Sequence, residues 1–488
     1  MNYFLDRLVN HPLIDAFSRA NVSFSHVSLT QEAILAAASF KAKPQTLVWV
    51  KANLYQAERL HAKLQWWLGD QALLAASEES LRVEAIAASP ELNVGRIDAL
   101  SKVIDGTPHV IVTHLGAFLR YLPTPQTFSE LTLHIKTDQT ITPKVLLEQL
   151  RRMGYTETAK VDQPATMAHR GGIIDVFPIN RDEPIRIEFF DNLIESIRTF
   201  DLSSQRSLDT LTSLDVDPAS DLIFTDMEIE AIEKALNRRL ETILDGSHRL
   251  RLQETIDRDL ELMRLRVKEN HLYRYRCLCP QTATLVDYLK DPLIVLSTEE
   301  DLQEHRLTLV TETTDYLKEL VDDQQALPFY EVYADYARTL AGHRTNSLKR
   351  FEAAPVHLPF RELDVPVQTL STHITLLEKQ LLTKTVVCCL KEAEIKELVP
   401  HLQEHHIPYK LRFGSNDDIK LILLHKDLDE GFELLDAHIV VYSSKELFNH
   451  KVFIGRYSTK FKEAQTLQSY QDLQPGDYVV HHQHGVGQ

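Results

Sequence analysis

The chain has 488 residues, with 53 Lys plus Arg against 70 Asp plus Glu and a formal charge of −17 at pH 7. Its 43% hydrophobic and 25% charged content excludes a wholly disordered chain, and at roughly 100–200 residues per domain its length fits about two to four domains. The acidic balance excludes a basic surface over the whole molecule, although not a local one. No apolar run is long enough to read as a membrane span, and the start, MNYFLDRLVNHPLIDAFSRA, lacks a basic stretch followed by an apolar one. The expected location is the cytoplasm.

Residues 1–125 alternate between strand and helix patterns. TLVWV (46–50) is a short apolar run of the kind a doubly covered strand shows. LYQAERLHAKLQWWL follows, with Leu54, Ala57, Leu60, Leu64 and Trp67 at helical spacing. HVIVT (109–113) reads as a second buried strand, and the alternation predicts a parallel sheet with helices on its faces. At Pro123–Pro125 the pattern changes. Thr142 caps a predicted helix, Pro143 takes its first position and Gly154 ends it. GGIIDVF, IRIEFF and IESIRTF then read as strands. The last two are joined at Asp191–Asn192, residues that tolerate tight turns. Residues of about 130–210 thus form an α+β insert with an antiparallel sheet.

Residues of about 225–275 are helical and charged, with a break at Asp245–Gly246–Ser247. PLIVLS (292–297) returns to a buried-strand pattern and is expected to complete the first sheet. After an extended connector at about 356–370, TVVCCL, a helix, IPYKLRF, IKLILL and AHIVVYS predict a separate small α/β domain. The last residues, QPGDYVVHHQHGVGQ, read as the start of a β domain.

A mononucleotide loop needs glycines that let backbone N–H groups approach phosphate, and a lysine for its charge. The first glycine here is Gly69, and none of the 15 glycines precedes a lysine. Where the first βα turn falls, VSLTQEAILAAAS (27–39) supplies neither, so no cradle of that kind is expected, nor any nucleotide cofactor. HLQEH (401–405) has the H-x-x-E-H spacing of a zinc helix. It follows Pro400 and lies at a helix end, where histidines suit the negative pole, so no metal is expected there. The terminal HHQH reads in the same way. Cys277, Cys279, Cys388 and Cys389 lack zinc-pair spacing and are expected to be reduced thiols. Acidic pairs such as Asp182–Glu183 and Asp427–Asp429 read as solvated loops. No catalytic residue is assigned.

In the insert, alternation puts Ile185, Ile187 and Phe189 on one face of IRIEFF, and Arg186, Glu188 and Phe190 on the other. A phenylalanine beside an arginine on a solvent face has the composition of an interface hot spot. Pairing this strand with residues 173–177 symmetrically about Arg181 sets Phe190 opposite Gly172. Arg170, Arg186 and Phe190 then share a patch, provided the register holds. The bland alternative packs Phe190 under helix 145–153. Residues 144–206 carry 9 basic and 10 acidic residues, which suits a protein partner better than a DNA backbone.

The stretch RGGIIDVFP…PIRIEFFDNLIESIRTFD…SQRSL resembles the partner-binding insert shared by the excision-repair protein UvrB and the bacterial transcription-repair coupling factors. LDEGFELLDAHIVVYSSKELF and GDYVVHHQHGVG resemble later segments of the coupling factors. The resemblance implies an α/β multidomain chain. Residues 1–127 and 213–350 would form a UvrB-like, degenerate RecA-like domain without a phosphate loop, interrupted by a UvrA-binding insert at 128–212. A small α/β domain at 351–455 would follow, then a linker and the truncated start of a CarD-like, RNA-polymerase-interacting domain at 456–488. It implies a role in transcription-coupled nucleotide excision repair. Arg170, Arg186 and Phe190 would contact UvrA, and RNA polymerase would be reached only through a longer parent, an ATP-dependent DNA translocase. This chain itself is expected neither to hydrolyse ATP nor to bind DNA more than weakly. The alternative is a UvrB-like damaged-DNA-binding or nucleotide-driven helicase activity in the chain itself.

Overall fold

The computed structural model describes residues 5, 8–25, 28–79, 81, 89–349, 360–363, 370–412, 419–426, 428, 430–435, 438–448, 479–481 and 485–487. Two units result, 1–454 and 455–488.

In the first unit the first sheet holds β1 (Ser23–Ser25), β2 (Leu47–Lys51), β3 (Ala72–Ala75) and β4 (Val110–His114), joined much later in the chain by β13 (Leu293–Leu296) and β14 (Arg344–Lys349). The order is β1-β14-β13-β2-β4-β3, and every pairing is parallel. β13 lies directly beside β2, with Leu293 opposite Leu47, so the segment between His114 and Leu293 leaves the sheet and returns to it.

The pleat explains the continuous apolar runs. Val48 and Val50 point into one core with Ile97, Ile111 and Phe118. Leu47 and Trp49 point into another, against residues 33–38 of α1 (Leu29–Ala42) and Leu60 and Leu64 of α2 (Leu54–Leu68). The predicted face of α2 is the buried one: Leu54, Ala57, Leu60, Leu64 and Trp67 all face inward.

The inserted segment has its own sheet, in the order β11-β10-β9-β8-β7-β6. Its strands are β6 (Thr156–Glu157), β7 (Thr166–Arg170), β8 (Ile173–Val176), β9 (Ile185–Phe190), β10 (Leu193–Phe200) and β11 (Ser207–Leu211). All pairings are antiparallel except β6 with β7. Beside it, β5 (Leu133–Lys136) pairs with β12 (Ser213–Val216). α3 (Pro143–Arg152) covers one face, capped by the Thr142 side chain and carrying Pro143 in its first turn.

A helical hairpin follows, α4 (Asp226–Leu240) and α5 (Gly246–Arg264), with Asp245 capping the second helix. Ile229, Ile232, Leu236, Leu252, Ile256 and Leu260 zip the two helices together in a core separate from the sheet cores. α6 (Glu299–Asp322) is long and mostly exposed, burying Leu302 and Leu309.

The third sheet contains β15 (Phe360–Glu362), β16 (Thr385–Leu390), β17 (Tyr409–Lys410), β18 (Leu421–His425), β19 (Phe432–Leu434) and β20 (Ile439–Tyr442), in the order β15-β19-β20-β16-β18-β17. The sequence pattern predicts a domain standing apart here, whereas this sheet is covered on one side by the first. Val386, Cys388 and Leu390 face a core of the sheet's own. Val387, Cys389, Ile422, Phe432 and Val441 join the same core as Trp49, Leu60 and Trp67 of the first sheet layer. The reason lies in β16, whose VVCCL run is apolar on both faces, so each face needs a cover. Residues 356–359 and 364–369 of the expected connector lie outside the described residues, as does most of the expected terminal β domain. In the second unit the backbones of β21 (Val479–His481) and β22 (Gly485–Gly487) form an antiparallel pair.

Candidate functional site

Three hydrophobic residues of α3, Leu146, Leu147 and Leu150, share a core with Ile174, Ile185, Ile187, Ile194 and Ile197, which fixes one face of the insert sheet as interior. On the opposite face Val161, Ala168, Phe177 and Phe200 form a small cluster of their own. The turn end of that face is open. There β7 and β8 turn through Gly171–Gly172, with Gly171 at φ +60° and Arg170 paired with Ile173. β9 and β10 turn through Asp191–Asn192, with Asp191 at φ +57° and Phe190 paired with Leu193.

The register of β8 with β9 differs by one residue from the symmetric pairing expected about Arg181. Asp175 lies opposite Arg186, Ile173 opposite Glu188 and Val176 opposite Ile185. The two-residue turn between β7 and β8 adds a second odd offset, setting Arg170 opposite Ile173 and Ala168 opposite Asp175. The two offsets cancel, so Arg170 shares a face with Arg186, Glu188 and Phe190. One row across this face runs Ala168, Asp175, Arg186, Arg198 and Thr210, and the next runs Arg170, Ile173, Glu188 and Ser196.

The three expected residues behave differently. Phe190 is 72% exposed and does not pack under α3. Arg170 is exposed, and its Nη2 donates to the Ala159 carbonyl at 2.7 Å. Arg186 is held. Its Nε and Nη2 donate to the two Asp175 carboxylate oxygens at 2.7 and 2.8 Å, and Nη1 reaches the Gln205 carbonyl at 3.3 Å. Its guanidinium lies 4.6 Å from the centre of the Phe200 ring. The hydrogen bonds to Asp175 raise the arginine pKa further, so this group keeps its charge at every working pH.

Asp175, Leu193 and Arg198 were not picked out from the sequence. Strand parity carries a signal for Arg198, which alternates with Ser196 on the same face as its β9 neighbours. Asp175 needed the register. Leu193 adjoins Phe190 across the turn and is also exposed. Beside them, Glu188 accepts from the Ser196 hydroxyl at 2.6 Å and lies 3.6 Å from Arg198. The face thus offers an exposed ring and leucine, bordered by arginines and by the carboxylates of Asp175 and Glu188. An exposed apolar pair edged by charges has the composition of a contact surface.

At the first βα turn, Ser28 and the first turn of α1 close on themselves. Ser28 Oγ accepts from the Gln31 backbone N–H, and Gln31 Oε1 accepts from the Ser28 N–H. One residue on, the buried Glu32 carboxylate accepts from Trp49 Nε1 at 2.7 Å and from Lys51 Nζ at 2.9 Å. A carboxylate here repels phosphate and occupies the neighbouring lysine. Residues 26 and 27 of this expected turn lie outside the described residues.

His401 and His405 sit at the end of the helix Glu392–Glu404 and face Glu404 and Glu378, at 3.9 and 3.6 Å. Among the described residues no three His, Cys, Asp or Glu side chains converge on a metal-sized space. All four cysteines are free thiols, and burial pushes the Cys389 thiol up to about 12. Asp182 and Glu183 are exposed, while Asp427, Asp429 and most of the terminal HHQH lie outside the described residues. Among the described residues no helix is long and apolar enough to cross a membrane.

Residues 133–222 match the family model of the UvrB interaction domain, which covers the whole of this sheet and α3. Over its full length the chain is 27% identical to a transcription-repair-coupling factor of Staphylococcus aureus (strain bovine RF122 / ET3-1), of which it covers 43%. It is 28% identical to that of Bacillus subtilis (strain 168), with 89% of the chain and 39% of the relative aligned. The chain is thus similar to the transcription-repair-coupling factors, and it spans less than half the length of the curated relatives it matches.

Proposed function

We propose that the open end of this insert face recruits the damage-recognition protein UvrA, and that the chain serves transcription-coupled nucleotide excision repair through this contact. The observation that carries the reading is Phe190, exposed on a sheet that matches the UvrB interaction domain and sharing its face with Arg170 and Arg186. In this reading Phe190 and Leu193 fill an apolar recess on UvrA, and Arg170 meets an acidic group at its rim. Arg186 shapes the face through Asp175. The translocase activity and the RNA-polymerase contact belong to a longer parent.

The competing reading, a nucleotide-driven motor in this chain, is disfavoured by the Glu32 carboxylate in the first turn of α1. Titration of UvrA into the folded chain tests the docking. Phe190→Ala with Arg170→Ala is expected to weaken binding by at least about 2 kcal/mol, roughly thirtyfold. Unchanged affinity overturns the reading.

A further inference from the structure

The helical hairpin α4–α5 has charges sorted along its length. Residues 234–251, its tip, carry five basic residues (Lys234, Arg238, Arg239, Arg249, Arg251) and two acidic ones (Glu241, Asp245), a balance of +3 in a chain of −17. Part of this is ordinary helix chemistry: Arg238 and Arg239 lie in the last turn of α4, where the dipole favours cations. Arg249 and Arg251 lie near the start of α5, where it opposes them. Local stability does not explain them. It does not explain Leu244, 99% exposed in the connecting turn, or Leu250, 61% exposed.

The opposite composition occurs on α6. Residues 299–323 carry nine acidic residues and two basic ones, a balance of −7. Leu307 and Val310 are exposed there. At helical spacing Glu300, Glu304 and Asp315 border the Leu307 side of this stripe. An apolar pair edged by arginines and an apolar pair edged by carboxylates are complementary in both charge and polarity.

We propose that the hairpin tip of one copy of this chain docks on α6 of a second copy, with Leu244 and Leu250 against Leu307 and Val310 and with Arg249 and Arg251 against Glu304 and Asp315. Nucleic acid is the weaker occupant. Residues 234–251 contain no aromatic side chain to stack on bases, and the two carboxylates at the tip repel phosphate.

Sedimentation equilibrium of the whole chain over a range of concentrations tests this. Self-association is expected in low salt and should weaken as salt is added. Arg249→Glu with Arg251→Glu, both at exposed positions, should weaken it at least about tenfold. Mixing that variant with Glu304→Arg/Asp315→Arg should restore association between the two. A chain that stays monomeric in low salt at every concentration overturns the proposal. So does association that survives the arginine reversals; its loss with Phe190→Ser would then place the contact on the insert.

Discussion

At the scale of single residues, the strongest constraint is the buried Asp221. Its carboxylate accepts from Arg96 Nε and Nη2 at 3.0 and 3.1 Å and from Arg120 Nε at 2.9 Å. Burial alone would raise its pKa, but the two guanidiniums outweigh burial and hold it below the ordinary carboxylate value. Asp221→Asn removes the charge that two buried guanidiniums share and should cost about 3–5 kcal/mol, read from urea unfolding. A depressed carboxyl contributes stability above its unfolded pKa, near 4, and loses it as pH falls further. His114 acts in the same direction at higher pH. It is fully buried, its Nε2 lies 2.9 Å from the Ser77 carbonyl, and burial lowers its pKa from 6.5 to about 3. The unfolded chain therefore takes up this proton first, and stability falls as pH drops from 6.5 toward 3. Urea midpoints measured from pH 7 to about 4 should decline, and His114→Gln should flatten that decline.

Elements were legible where local rules act alone. Thr142, Pro143 and Gly154 bound α3 as their chemistry requires, since caps and left-handed ends need no distant partner. Gly154 has a second reason to be glycine. At φ +89° a Cβ there would stand 2.6 Å from Ser220 Cβ. Gly154→Ala should destabilise by about 1–3 kcal/mol, seen as a lower melting temperature. Three strands of the insert, β8, β9 and β10, were equally clear from their apolar patterns, but the flanking β6, β7 and β11 and the register were not. Pairing depends on how many residues the Pro178–Pro184 loop absorbs, and periodicity is silent about that. Arg170 shares a face with Arg186 and Phe190 despite the one-residue shift because the Gly171–Gly172 turn offsets it by another.

At the scale of the whole first unit, the third sheet and the first share a core. The rings of Trp67 and Phe432 lie 6.3 Å apart, and Lys63 approaches Glu430 at 3.9 Å. The two sheets should unfold together, and Phe432→Ala should destabilise that single transition by about 3–5 kcal/mol. Two separate calorimetric transitions, with only one moved by the substitution, would show that the shared core contributes little.

By itself the sequence indicated the alternation of strands and helices, the interrupting α+β insert with the caps of its helix, and the shared strand face of Arg186 and Phe190, because each follows from side-chain chemistry within a few residues. Only the tertiary structure decided that Phe190 stands outward and not under α3, that Arg186 is engaged by Asp175, and that the third sheet closes against the first. Those outcomes depend on which distant surfaces meet, and burial, not local pattern, selects them.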